Sequence, residues 1–355
     1  MRTKLLIGML FAFVISATQA QGLGDYKPGL SKYGLKEFKK APKKVYISNF
    51  NIHFEVYKDA VDYKAAGGFG GVKRGEATAR AAVGILKLET TDIQAQTDRL
   101  YKEFLADLKA GGYEIISPDQ AATIDAYEGW ERADGPSVEE SGLPGVLTAV
   151  PSNYSFFYKR EDRKGKKKKG FLGGVGKPAA LSKQLGDAVI AEVDLYVMFT
   201  EDKQSLFKGN AAKVKILTNL RVVGNYAVTA EKKGGFIKMK GATTVDYVNS
   251  GVNFFQGKTG LGSKGAYQVS LKKPLEITGV IPQEKIVAYQ KGGLTFLTSF
   301  NTNSYSGLSF YTQENRFSDT AKWLEVDSKK YAEGLYNACS KILKDSSSKF
   351  VGSIK

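Results

Sequence analysis

The sequence predicts an α+β fold: a mixed sheet with N-terminal and C-terminal helices, extended by a β-rich insertion. Three observations predict it. Strict alternation places Val189, Ala191, Val193, Leu195, Val197 and Phe199 on one face of a strand, and Val214, Ile216, Thr218, Leu220 and Val222 on one face of the next. Helical spacing aligns Leu100, Phe104, Leu105 and Leu108, and a second stripe runs through Trp323, Val326, Tyr331, Leu335, Ala338 and Leu343. Between the second ladder and the last helix, the chain stays in short alternating runs broken by glycine.

Taken in order, residues 1–20 read as a cleavable secretory signal. Arg2 and Lys4 precede an apolar run from Leu5 to Ala17, shorter than the ~20 residues of a spanning helix but suited to a signal-peptide core. Cleavage after Ala20 leaves Gln21 first. Residues 21–44, rich in Gly, Pro and Lys, read as a flexible leader, and an α/β body over 45–345 begins at Val45. Val45 and Ile47 share one phase and Phe50, Ile52, Phe54 and Val56 the other, so either a bulge at Ser48 and Asn49 or a strand that changes sheet there is expected. His53, between Ile52 and Phe54, falls on the polar side and is expected at the surface.

Residues 64–75 form a glycine-rich loop, and the small residues from Glu76 to Leu88 are compatible with helix. Gly111 and Gly112 stop the helix through Leu108; a short strand, Tyr113 to Ile116, then leads to Ser117-Pro118-Asp119, which can cap another short helix. Residues 130–145 read as an acidic loop and 153–159 as a strand. The run RKGKKKKG at 163–170 reads as a solvated tip, because like charges this dense resist burial. The two long ladders are expected to pair antiparallel, since the short polar segment between them offers no helical crossover. A β-rich insertion then spans about 224–311. A closing helix covers about 319–345, with Ser346, Ser347 and Ser348 at its fraying end.

A formal net charge of +16 favours anionic surfaces such as lipid headgroups or acidic polysaccharide. In an exported chain, the expected partner is an envelope protein or such a surface, with peripheral membrane association and room for a homo-oligomer. Nucleic acid is disfavoured, since no aromatic platforms interleave the lysine run. The chain has one His and one Cys, His53 and Cys339, so neither a zinc or copper site nor a cofactor is expected. No cysteine follows the cleavage position to take a lipid, and a Ser-His-Asp triad would have to use His53.

Four features are candidate sites. Gly67 to Gly71 with Lys73 and Arg74 offers flexible amides and cations to an anion, but lacks a phosphate-loop signature. Lys166, Lys167, Lys168 and Lys169 could dock an anionic surface. The glycine-rich GFLGGVGK at 170–177 resembles the first in composition. Glu192 and Asp194 share a strand face about 6.6 Å apart, as a carboxylate pair or as partners of Lys213, Lys215 or Arg221. No catalytic residue is singled out by pattern.

The strand opening KKVYISNF at Lys43, the helix ending FLADLKAGGYEIISPDQ, the central DAVIAEVDLYV strand and the closing helix together resemble the periplasmic α/β modules of the CsgG and TolB N-terminal groups. The resemblance covers residues 43–125, 187–223 and 319–345. It implies an envelope protein that works by binding or assembly, and it carries over no catalytic residue. The expectation is therefore a noncatalytic exported envelope protein. The alternatives are a secreted acidic-polysaccharide binder or hydrolase, and an outer-membrane pore or structural component.

Overall fold

The computed structural model describes residues 21–69, 72–158, 178–202, 211–231, 243–260, 262–291 and 321–354. The first elements are β1 (Gly22–Leu23), β2 (Pro28–Tyr33), α1 (Leu35–Lys40), β3 (Lys44–Glu55), β4 (Tyr57–Lys64), β5 (Gly67–Phe69), β6 (Val72–Arg74), β7 (Ala77–Leu86) and α2 (Thr90–Ala110). Next come β8 (Glu114–Ile115), α3 (Pro118–Ala122), a 3-10 turn (Asp125–Tyr127), β9 (Glu131–Asp134), β10 (Ser137–Glu140), β11 (Val146–Val150), β12 (Ser155–Tyr158) and α4 (Pro178–Gln184). The remainder is β13 (Val189–Asp202), β14 (Ala211–Val223), β15 (Asn225–Glu231), β16 (Thr243–Asn249), β17 (Gly251–Gln256), β18 (Gly265–Leu271), β19 (Leu275–Thr278), β20 (Lys285–Lys291), β21 (Lys322–Glu325) and α5 (Ser328–Ser353). The architecture is α+β, as the sequence predicts.

The main sheet is built on β13. One edge of β13 pairs parallel with β3, while the other pairs antiparallel with β17 and then with β14. Beyond these run β19 and β1 on the β14 side, and β18 and β2 on the β17 side. The expected antiparallel pairing of the two long ladders is present, and so is the bulge. Ile47 opposes Ala191 while Asn49 opposes Glu192, leaving Ser48 as the extra residue.

One face of this sheet is apolar. Phe50, Ile52, Val193, Leu195 and Val197 pack there against Leu100, Phe104 and Leu108 of α2 and Leu335, Ala338 and Ile342 of α5. Cys339 lies in the same layer, fully buried, and burial pushes its thiol well up, so no reactive thiolate forms there. At α3, Ser117 and Gln120 make a reciprocal capping box that holds two backbone donors.

Four expectations are corrected. Residues 21–44 are not a flexible leader: β1 pairs with β19, β2 pairs with β18, and Phe38 of α1 is buried against Phe350. The segment Glu76 to Leu88 is strand, not helix. Ala77, Ala79, Ala81, Val83 and Ile85 alternate inward in β7, which pairs with β4 and β21. Gly84 on that strand leaves room for the Trp323 ring, which would stand 2.1 Å from any Cβ there. Residues 130–145, read as loop, carry β9 and β10. The closing helix starts later and runs further than 319–345: residues 322–325 form β21, and α5 continues to Ser353.

The signal segment 1–20, the run Lys166 to Lys169 and the loop 170–177 lie outside the described residues.

Candidate functional site

The face of β3 and β13 opposite the α2–α5 layer is polar. On β13, the two-residue period sends Glu192, Asp194 and Tyr196 to this side. On β3, the bulge at Ser48 shifts the phase, so Asn49, Asn51, His53 and Glu55 arrive on the same side as Tyr46. Parallel pairing then sets Asn49 beside Glu192, Asn51 beside Asp194 and His53 beside Tyr196.

Asp194 is the hub of the cluster. It accepts hydrogen bonds from the Asn49 amide and, at 3.0 Å, from the Asn51 amide, while His53 Nε2 lies 3.2 Å from its Oδ1. The Asn51 amide also reaches the Asn49 carbonyl oxygen. His53 is held on its second nitrogen by the Thr148 hydroxyl at 2.8 Å, and its ring stacks on Tyr196 at 4.1 Å. Ser48 donates to Glu192 at 3.3 Å.

The expectation that His53 sits at the surface is therefore overturned. It is buried, because β11 covers its strand edge and Tyr196 covers its ring. Glu192 and Asp194 meet neither Lys213, Lys215 nor Arg221. Their strand neighbours are Asn253 and Gly251 of β17 rather than β14, which pairs with β13 only from Tyr196 onward. Lys213 and Lys215 lie at the far end of β14, opposite Tyr289 and Val287. Lys73 and Arg74 stand on β6, in a separate two-stranded ribbon.

Two apolar clusters bound the polar strip. At one end, Tyr127 stacks on Phe157 at 4.1 Å, meets Trp130 edge-on at 5.6 Å, and shares a 3.3 Å hydroxyl contact with Tyr46. Burial pushes the Tyr46 phenol up to about 12, so it remains protonated at neutral pH. At the other end, Leu143, Val146, Met198, Val223, Val228 and Val248 close over Tyr196.

The outer edge of β3 is also split. β8 pairs with Lys44 and Val45, and β11 pairs from Ile52 to Glu55, leaving the stretch around the bulge without a strand partner on that edge among the described residues. Tyr154, between β11 and β12, is buried in the α2-side core, and its hydroxyl has no hydrogen-bond partner among the described residues. Its ring meets Tyr101 of α2 edge-on at 5.4 Å, within the apolar layer, and burial pushes its phenol well up.

Asn51 and Thr148 were not singled out by sequence, and Ser48 and Asn49 only as the place of a bulge. The usable signal was local: Asn49, Asn51 and His53 sit two residues apart just after a visible phase slip, which places three polar side chains on one face. Elsewhere, a surface groove of about 880 Å³ runs between α5 and β1, lined by Arg99, Tyr336, Ser340 and Lys344. Two of its cations are already held by Glu103, at 3.2 Å from Arg99 and 3.1 Å from Lys344, while Lys341 lies 5.8 Å from the Tyr26 ring centre. Among the described residues, no group of three or more His, Cys, Asp or Glu side chains converges to hold a metal.

Burial, reinforced by the neighbouring Asp194 charge, pushes the Glu192 carboxyl from 4.5 up to about 7. The folded protein therefore holds this proton more tightly than the unfolded chain. That contribution to stability is complete below about pH 4.5 and is lost as pH rises through about 7. Its size is on the order of 3 kcal/mol, from about 1.4 kcal/mol per unit. Glu192→Gln, which cannot ionise, should thus gain stability over the parent at pH 8 and match it at pH 4. Urea unfolding across this range checks the point, and parallel curves for the two proteins would refute it.

No family model, curated protein or solved structure matches this chain.

Proposed function

We propose that the chain is a noncatalytic exported envelope protein that works by assembling with a partner protein through its β-ribbons. The observation that carries this reading is a set of exposed apolar side chains paired along two strands. On β16, Val245 is 45% and Tyr247 78% exposed; on β20, Val287 is 41% and Tyr289 60% exposed. In each pair the residues are two apart, so both project from the same strand face. Such rows favour association unless something covers them. Export is supported by the leader pattern of Arg2, Lys4 and Leu5 to Ala17. The net charge of +16 supports approach to an anionic envelope surface.

The polar strip does not favour hydrolysis of an acidic polysaccharide. Glu192 and Asp194 would repel a polyanion, and Asp194 is tied up by Asn49, Asn51 and His53. Cross-linking and affinity capture from envelope extracts test the assembly reading with the mature chain and a Tyr247→Ser, Tyr289→Ser variant. Exposed substitutions of this kind usually change stability by about 0.5 kcal/mol or less, so the variant should remain folded. The parent is expected to retain a stoichiometric partner, and the variant to lose at least about tenfold of the capture, or ~1.4 kcal/mol. A parent that is monodisperse and captures nothing, or a variant that captures equally well, would overturn the reading. Retention in the membrane after carbonate extraction would instead favour an embedded component.

A further inference from the structure

We infer that the corner of the protein where β2 passes into α1 is a lipid-docking surface, built to rest on a bilayer that carries anionic headgroups. β2 lies at the edge of the main sheet, and its last residue, Tyr33, pairs with Ala266 of β18. The chain then turns at Gly34, whose φ of 62° sets α1 against the turn between β17 and β18. A Cβ at Gly34 would stand 2.1 Å from the Lys264 carbonyl oxygen, and one at Gly265 would stand 2.8 Å from the Phe38 ring of α1. Edge strand, helix and turn are thereby fixed as one surface.

That surface is basic. Phe38 points into the core, so the helical period turns Lys36 and Lys40, four residues apart, outward together. Lys258 and Lys264 stand on the β17–β18 turn and Lys32 on β2, and all five lysines are exposed. Set against them are Glu37, 3.9 Å from Lys40, and Asp187, whose carbonyl oxygen meets Gln256 at the end of β17. Positive charge is therefore in surplus at this corner among the described residues.

A second, independent observation is the ring of Tyr33. It is 51% exposed in the midst of these lysines, and its hydroxyl donates to the Ser263 carbonyl oxygen at 3.4 Å, which holds it at the turn. An exposed tyrosine among lysines suits the boundary of a bilayer: the ring enters the headgroup layer while the cations stay with the phosphates. The cations are all lysine. Point charges on long stems follow mobile headgroups, whereas a fixed bidentate anion site calls for the guanidinium fork. One ring gives no stacking platform for successive bases of a nucleic acid.

The inference rests on the reading that the chain meets an anionic surface, and goes further by naming the face that does so. It uses no residue of β16 or β20, so lipid binding and capture of a protein partner can fail separately.

Cosedimentation of the mature chain with vesicles of phosphatidylcholine alone, and of equimolar phosphatidylcholine and phosphatidylglycerol, is the test. Binding to the anionic vesicles alone is expected, and it should be lost at about 1 M salt, where the screening length falls to about 3 Å. Lys36→Glu, Lys40→Glu and Lys258→Glu combined should weaken it at least about tenfold, or ~1.4 kcal/mol. Lys213→Glu, Lys285→Glu and Lys329→Glu combined change the net charge equally on other faces and should leave most of the binding in place. All six lysines are exposed, so both variants should keep the unfolding transition of the parent. No binding to the anionic vesicles, equal losses in the two combined variants, or tighter binding to polygalacturonate than to the vesicles would overturn the proposal.

Discussion

Replacing Glu55 by alanine is expected to destabilise the protein by about 3–5 kcal/mol, the range for breaking a buried charge network. The strand β3 ends at Glu55, but β13 runs on, and its pairing with β3 stops at Val197. The backbone donors that follow on β13 need an acceptor. Glu55 supplies it: its carboxylate accepts from Phe199 N at 3.1 Å, from Thr200 N at 2.9 Å and from the Thr200 hydroxyl at 2.8 Å. Burial pushes this carboxyl up, while the charges of Lys58 and Arg221 and the Thr200 hydrogen bonds pull it back. Lys58 and Arg221 are themselves buried. Alanine removes the acceptor and the counter-charge together. Glu55→Gln keeps one acceptor oxygen and should cost distinctly less. Urea unfolding of both variants measures the difference. A loss under about 1 kcal/mol for alanine would show that the network contributes little net stability.

Glu55 also shows what a single sequence could convey. It reads as an ordinary charged residue closing an alternating strand, and nothing local says that another strand lacks a backbone partner just beside it. The long ladders were legible because period-two alternation is a local signal, and so was the slip at Ser48 and Asn49. The β2 strand was not legible: it is an edge strand with four of its six residues exposed, and its partner β18 lies more than 200 residues away. In β7, alanines at the inward positions hid a strand behind a residue type that favours helix.

For the site, Glu192 and Asp194 were visible as a pair because both lie on one strand. Their surroundings were not, since these depend on which strand flanks them. The sequence reading set β14 opposite, with Lys213 and Lys215, whereas β3 and β17 occupy those positions. Parallel pairing between residues some 140 apart in the chain brings Asn49, Asn51 and His53 to Asp194. No local pattern encodes that choice of neighbour.

The end of α5 gives the other large expected effect. Ser346 and Ser347 look like a fraying helix end, yet both are buried, with hydroxyls returned to the Ile342 and Leu343 carbonyls and a further bond from Ser347 to Asp107 of α2. Their small side chains let the last turns of α5 lie close to α2 and carry Phe350 into the core. That ring stacks on Phe254 at 3.9 Å and also contacts Phe38 at 5.3 Å, Tyr267 at 5.5 Å and Tyr113 at 5.9 Å. One side chain thus joins α1, β17, β18 and the entry to β8. Phe350→Ala should cost about 3–5 kcal/mol, as buried aromatic truncations do. Phe350→Leu restores most of the volume but not the ring contacts, so it should cost less, about 1–2 kcal/mol. Because α5 packs on the face of β13 away from Glu192 and Asp194, the loss should be local at first. Amide exchange should rise in α1 and the last turns of α5 while β3 and β13 stay protected. Equal acceleration in β3 would mean instead that the helix layer and the polar strip open as one unit.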